Sequence, residues 1–213
     1  FESYVEGDSL DTDNAASPYN SSTSEATVES TESLGGPGTP GNKFAGIVDT
    51  DSGDTGELRY KLADAASPII SGRIEAAVRR LDDELGNGDA FITLFNSDTN
   101  NSGSILDFRI RDDSFGVRYP SSTDTSSLPH LLDAWMDVVV TWDYPGGDTT
   151  LAPQVVIVID GVALDPITPD NSPFGGVTHV AFRFGDNSGV REVSGIFSVD
   201  NFGIYSDTDG MQR

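Results

Sequence analysis

Arginine is the residue type through which this chain could do chemistry. Of twelve basic side chains, only Lys43 and Lys61 are lysines. A guanidinium forks onto carboxylate or sulfate through two parallel hydrogen bonds, which an ammonium cannot do. Several of these cations recur at alternate positions: Arg59 with Lys61, Arg73 with Glu75, Arg109 with Arg111, and His179 with Arg183. In a strand, side chains two apart share a face, and alternation puts each pair on the side away from the core. Arg118 and Tyr119 lie on a nearby strand. If these strands are neighbours, one sheet face becomes a basic, partly aromatic groove suited to an acidic polysaccharide. The plainer alternative is an ordinary polar outer face whose arginines pair with nearby aspartates. Glu75 is the clear acid on that side, so hydrolysis, which needs two carboxylates facing one groove, has no pair here.

The groove would be an exception on a chain of net charge −23. Such a charge opposes nucleic acid and anionic membranes as partners, because phosphate binding needs a basic surface. It suits a saline habitat or divalent cations. Calcium takes six to eight oxygen ligands, and acidic loops offer Asp8, Asp49 and Asp51. The alternative is that these acids are simply solvated. With no cysteine, neither disulfides nor a thiol metal site is possible. No apolar run approaches the roughly 18 residues of a membrane span, so no membrane insertion is expected. The chain opens on Phe1, which leads us to expect a processed protein or a module of a larger one.

The elements that must position these residues read as strands. Val138–Trp142 and Val155–Ile159 are β-branched runs around a Pro145-Gly146-Gly147 turn, and Asp160-Gly161 closes the second. They predict neighbouring antiparallel strands. The second run is apolar on both faces and is expected deep in a sheet, which makes this pair the centre of the fold. Asn42–Asp49 and Glu57–Leu62 read as a strand pair, and Ala90–Asn96 with Ser104–Arg111 as another. A tight turn at Asp112–Ser114 leads into Phe115–Tyr119. Gly72–Leu81 fits a strand by alternation and a helix by composition; its strand neighbours favour a strand. Val177–Phe184 and Ile196–Tyr205 close the set, and Phe1–Leu10 reads as a first strand. Leu128–Ala134 is expected to form a short helical turn. Residues 11–41 carry almost no apolar side chains and are expected as a long polar loop. Ten or eleven short strands with almost no helix predict an all-β, antiparallel two-sheet sandwich or jelly roll over residues 1–213 as a single domain.

Three stretches resemble the concanavalin A-like jelly-roll superfamily in its laminin-G-like and carbohydrate-binding-module branches. FESYVEGDSL at 1–10 resembles an opening common in such domains. Trp135–Asp143 with Val158-Ile159-Asp160-Gly161 resembles their mid-chain pair, and Ser198-Val199-Asp200-Asn201 their closing strand. The resemblance implies a jelly roll and a structural calcium ion shared by Glu2 and Asp200, with Asp8 and Asp49 as further ligands. Members include lectins, binding modules, hydrolases and lyases, so the fold does not choose among them. Glu57-Leu58-Arg59 resembles part of the R-x-E-L-R strand of jelly-roll alginate lyases, without its first arginine and without their Q-x-H and Y-F-K-x-G-x-Y strands. A lyase of this type would use Arg109 or Arg183 to neutralise the uronate, with His179 and Tyr119 as acid and base.

The leading expectation is a calcium-stabilised, carbohydrate-binding, lectin-like domain of a secreted or surface protein. It would recognise an acidic polysaccharide on a concave sheet lined by Arg59, Lys61, Arg73, Glu75, Arg109, Arg111, Tyr119, His179 and Arg183. Alternatives are a β-eliminating polysaccharide lyase and a structural or adhesion module without a groove. Tyr4, Tyr19, Tyr60, Tyr119, Tyr144 and Trp135 are candidate sugar platforms, whereas Trp142 and the phenylalanines are expected in the core.

Overall fold

The computed structural model describes residues 26–30, 42–49, 56–82, 89–96, 104–111, 114–118, 123–126, 133–164, 175–185 and 193–206. They form thirteen strands: β1 (Ala26–Ser30), β2 (Lys43–Asp49), β3 (Gly56–Lys61), β4 (Ser71–Asp82), β5 (Asp89–Phe95), β6 (Ser104–Ile110), β7 (Phe115–Arg118), β8 (Thr123–Ser126), β9 (Met136–Asp143), β10 (Gln154–Ile159), β11 (Val162–Ala163), β12 (His179–Gly185) and β13 (Val193–Ser206). The only helical element among the described residues is a single 3-10 turn at Pro145–Gly147.

The strands make two antiparallel sheets. One has seven strands in the order β1-β2-β13-β4-β9-β10-β11, and the other six in the order β3-β12-β5-β6-β7-β8. Their facing sides build one apolar core. Ile74, Val78, Val138, Val140, Trp142, Phe197 and Val199 of the first sheet meet Leu58, Ile92, Leu94, Phe108, Val180 and Phe182 of the second. Aromatic contacts fasten the sheets: Phe182 lies 6.4 Å from Phe197 and 5.0 Å from Phe202, and Tyr60 lies 5.6 Å from Phe202, between ring centres. Gly72 makes room for the largest core side chain. A Cβ there would come within 2.4 Å of the Trp142 ring, whose Nε1 donates to the Ile69 carbonyl at 3.1 Å.

Alternation located most strands correctly, including Gly72–Leu81, the β5–β6 pair and the β6–β7 hairpin. The expected β9–β10 pairing is present in register, Trp142 opposite Val155. Asp160 and Gly161 both take positive φ, 49° and 79°, and close β10 onto β11 as a two-residue hairpin of the primed type. Three expectations change. The β9–β10 pair is not central: β10 has only the two-residue β11 outside it, and Val156 is 45% exposed. β2 and β3 do not pair but belong to different sheets; strand patterning shows that two segments are extended, not that they are neighbours. The polar stretch 11–41 contributes β1, which pairs with β2 from Ala26 opposite Ile47 to Ser30 opposite Lys43. Its sequence, Ala26-Thr27-Val28-Glu29-Ser30, alternates small or β-branched apolar residues with polar ones, a short strand signal inside the polar stretch. The expected first strand at 1–10 and most of the helical turn at 128–134 lie outside the described residues.

Candidate ligand-binding face

The outer face of the six-stranded sheet gathers most of the expected basic groups. Strand register orders them in rows. One row runs Glu57, Arg183, Phe91, Arg109 and Gly116 across β3, β12, β5, β6 and β7. The next runs Arg59, Ala181, Thr93, Asp107 and Arg118 on the same strands. A third holds Lys61, His179 and Phe95. Arg73 and Glu75 require a correction, because β4 belongs to the other sheet. Alternation fixes which side of its own sheet a residue takes, not which sheet. Tyr119, like Glu2, Asp8, Asp51, Tyr4 and Tyr19, lies outside the described residues.

Each cation of this face has a carboxylate partner. Glu57 receives Arg59 through Nε at 2.8 Å and Nη2 at 3.0 Å, and Arg183 Nε at 3.2 Å. Asp89 is shared by Arg109 and, at 3.6 Å, Arg111. Asp107 accepts from Thr93 Oγ1 at 2.8 Å and from Arg118 Nε and Nη2 at 2.9 and 2.6 Å. Lys61 pairs with Asp64 at 2.6 Å. The groups form one electrostatic unit. Burial pushes the Arg183 guanidinium down, Glu57 and Asp107 hold it up, and Arg59 and Arg118 push it down again.

Much of this face is covered. Arg59, Arg109, Asp107 and His179 are almost wholly buried, while Lys61, Arg111 and Arg118 keep 46%, 34% and 40% of their side chains exposed. Phe91 and Phe95 are also here, and not in the core where the sequence placed them. The Arg59 guanidinium sits 4.1 Å from the Phe95 ring centre, and Arg109 and Arg183 sit 5.3 and 5.9 Å from that of Phe91. Such stacking lets an arginine leave water with less loss.

The arrangement limits the chemistry. Glu57 and Asp107 are three strands apart, about 14 Å at the usual inter-strand spacing. That exceeds the roughly 5–9.5 Å between the carboxyls of glycosidases. His179 and Arg183 share the face but stand four residues apart on one strand, about 13 Å. His179 is 1% exposed, with Nδ1 3.0 Å from Thr178 Oγ1.

The other candidates fall elsewhere. Tyr144 is buried, its oxygen accepting from the Gly176 N–H at 3.0 Å. Trp135 packs edge-on against Phe44 at 5.3 Å, and Tyr60 packs on the core, so none of the three is an open platform. Asp200 is buried on the outer side of β13, accepting from Asn42 Nδ2 at 2.6 Å. Register sets it level with Phe44, five residues and about 17 Å along β2 from Asp49. Those two acids therefore do not share an ion. The Asp200 carboxylate already accepts an amide N–H, and among the described residues no three acidic, histidine or cysteine side chains assemble a metal shell.

Two opposed antiparallel sheets in this order make an all-β sandwich of jelly-roll type. The sequence matches no known family description and no curated protein. Among solved structures, the chain is similar to an endo-β-1,4-glucuronan lyase from the fungus Trichoderma reesei, at 15% identity over 96% of this chain and 95% of that one, TM-score 0.63. It is similar to a variant of alginate lyase Aly36B in complex with alginate tetrasaccharide, at 13% identity over 96% and 93%, TM-score 0.61. A family 16 endo-glucanase from Bacteroides ovatus gives 14% identity over 85% and 86%, TM-score 0.52. At these identities the likeness is one of fold.

Proposed function

We propose that this chain is a carbohydrate-binding domain of a secreted or surface protein that holds an acidic polysaccharide on the outer face of the six-stranded sheet without cleaving it. The observation that carries the reading is a local charge reversal. Among the described residues, six cations (Arg59, Lys61, Arg109, Arg111, Arg118, Arg183) meet four carboxylates (Glu57, Asp64, Asp89, Asp107), a balance of +2, on a chain of −23. Glu57 and Asp89 each serve two arginines. Arg118, Arg111 and Lys61 are open enough to meet a carboxylate or sulfate. Two of the structural neighbours are a glucuronan lyase and an alginate lyase. Binding without cleavage is supported by His179, which is buried and about 13 Å from Arg183 along β12. Calcium, in this reading, is structural, with Asp200 as one ligand, and chelation should lower the melting temperature without abolishing glycan retention.

A second reading, a structural or adhesion module, is favoured by one observation: Arg59 and Arg109 are ion-paired and almost wholly buried. Electrophoresis through gels containing alginate, pectate, glucuronan or ulvan separates the two. Retardation by one acidic polymer that weakens with salt, and falls about tenfold in affinity in Arg118→Ala, supports binding. Unretarded migration in all four favours the structural module. A rising ultraviolet absorbance from unsaturated sugar would replace both with β-elimination.

A further inference from the structure

We propose that the outer face of the seven-stranded sheet carries a second, separate sugar-binding site, for an uncharged glycan, built on Tyr205, Arg73 and Glu75. Tyr205 is the largest exposed side chain of this face, 42% accessible on β13. Register continues its row through Arg73 of β4, Thr141 of β9 and Val156 of β10. The next row begins with Gly203, opposite Glu75. A Cβ at Gly203 would lie 3.0–3.3 Å from the outer edge of the Tyr205 ring, so the ring leans over the bare glycine along the sheet. A ring held that way offers an apolar surface with a polar hydroxyl at its margin, the shape that sugar C–H faces stack on.

The polar half of the site stands beside it. Arg73 pairs with Glu75, and its guanidinium carbon lies 6.0 Å from the Tyr205 ring centre. The pair is neutral, yet presents N–H donors and carboxylate acceptors side by side, as vicinal hydroxyls require. Both side chains are accessible, 39% and 34%.

Charge selects the ligand class. On β4, β9 and β13 the outward charged groups are Arg73 and Arg79 against Glu75, Asp137, Asp143 and Asp200, a balance of −2. An anionic polymer is repelled here, the reverse of the six-stranded face. A cationic ligand would find the position beside the ring already held by Arg73. A neutral polyhydroxy chain meets neither obstacle.

The test is affinity electrophoresis of the whole chain through gels containing laminarin, xyloglucan or galactomannan. At least one polymer should retard the wild type. Tyr205→Ala should weaken that retention about tenfold, the worth of one aromatic contact, Arg73→Ala should weaken it comparably, and Tyr205→Trp should preserve it. Because Tyr205 and Arg73 are exposed, thermal melting by circular dichroism should show these variants folded. Unretarded wild type in all three polymers overturns the proposal, as does a Tyr205→Ala chain retained as strongly as wild type.

Discussion

The two sheets present opposite outer faces to their surroundings. That of the six-stranded sheet is crowded: arginines lie over Phe91 and Phe95, carboxylates are shared between guanidiniums, and most of these groups are buried. That of the seven-stranded sheet is open around Arg73 and Glu75, with Tyr205 and Val156 exposed in the same row. Both faces use Arg–carboxylate pairs two residues apart on one strand, Glu57 with Arg59 and Arg73 with Glu75. The same local chemistry therefore stands in two dielectric settings, and its energetic weight should differ accordingly.

The largest difference is expected at Glu57. Replacing it by Gln leaves Arg59 and Arg183 buried with their shared negative charge removed. Breaking a buried ion pair by removing one partner typically costs about 3–5 kcal/mol. We expect Glu57→Gln to lower unfolding free energy by about 3 kcal/mol, read as an earlier urea midpoint. A loss below about 1 kcal/mol would mean that water reaches this cluster and that the two faces are alike.

Tyr144 belongs to neither face and calibrates the comparison. Burial raises its phenol above the ordinary value of about 10, opposed by the hydrogen bond from Gly176. In the unfolded chain it ionises near that ordinary value, while in the folded chain it keeps its proton longer. Its contribution is thus complete below about pH 10 and is lost as pH rises toward the folded value. Tyr144→Phe should cost about 1 kcal/mol at neutral pH through the unmatched Gly176 N–H. It should then lose less stability than wild type between neutral and strongly alkaline pH. Urea midpoints followed across that range check it; parallel curves would show that the phenol titrates alike in both states.

The contrast between the faces also shows what alternation can reveal. The strands were legible because β-branched residues and Gly, Pro and Asp turns punctuate the chain at short intervals. Alternation also gave the sidedness of Arg59, Lys61, Arg109, His179 and Arg183. Sheet membership was not legible: the pattern Arg73-x-Glu75 is the same signal as Glu57-x-Arg59, and only hydrogen-bond partners decide which layer a strand joins. The phenylalanines at 91 and 95 were hidden for another reason. AFITLF is apolar at both parities, so its outer half is indistinguishable from a core side until the covering arginines are known. The carboxylates could have been found. Glu57 alternates with Arg59 in GELRY, the spacing that puts acid and base side by side on one strand; Asp107 has the same spacing to Arg109 and so shares its face, although its ion pair is with Arg118 on the next strand.

The smallest expected effect is Glu75→Gln. Its pair with Arg73 is about one-third exposed on each side; exposed pairs contribute about 0.2–1 kcal/mol. Gln also keeps an acceptor for the guanidinium, so the loss should be no more than about 0.5 kcal/mol. Removing one acid from a face of balance −2 leaves it still negative, and an acidic polymer should gain no retention from the change. Setting Glu75→Gln beside Glu57→Gln compares the same chemical change on two sheets of one molecule. A gap of several-fold between their urea midpoints would mean that burial decides the worth of these pairs. Equal shifts would mean that the open face is as tightly coupled as the covered one, and that Tyr205 does not stand on a surface free to receive a ligand.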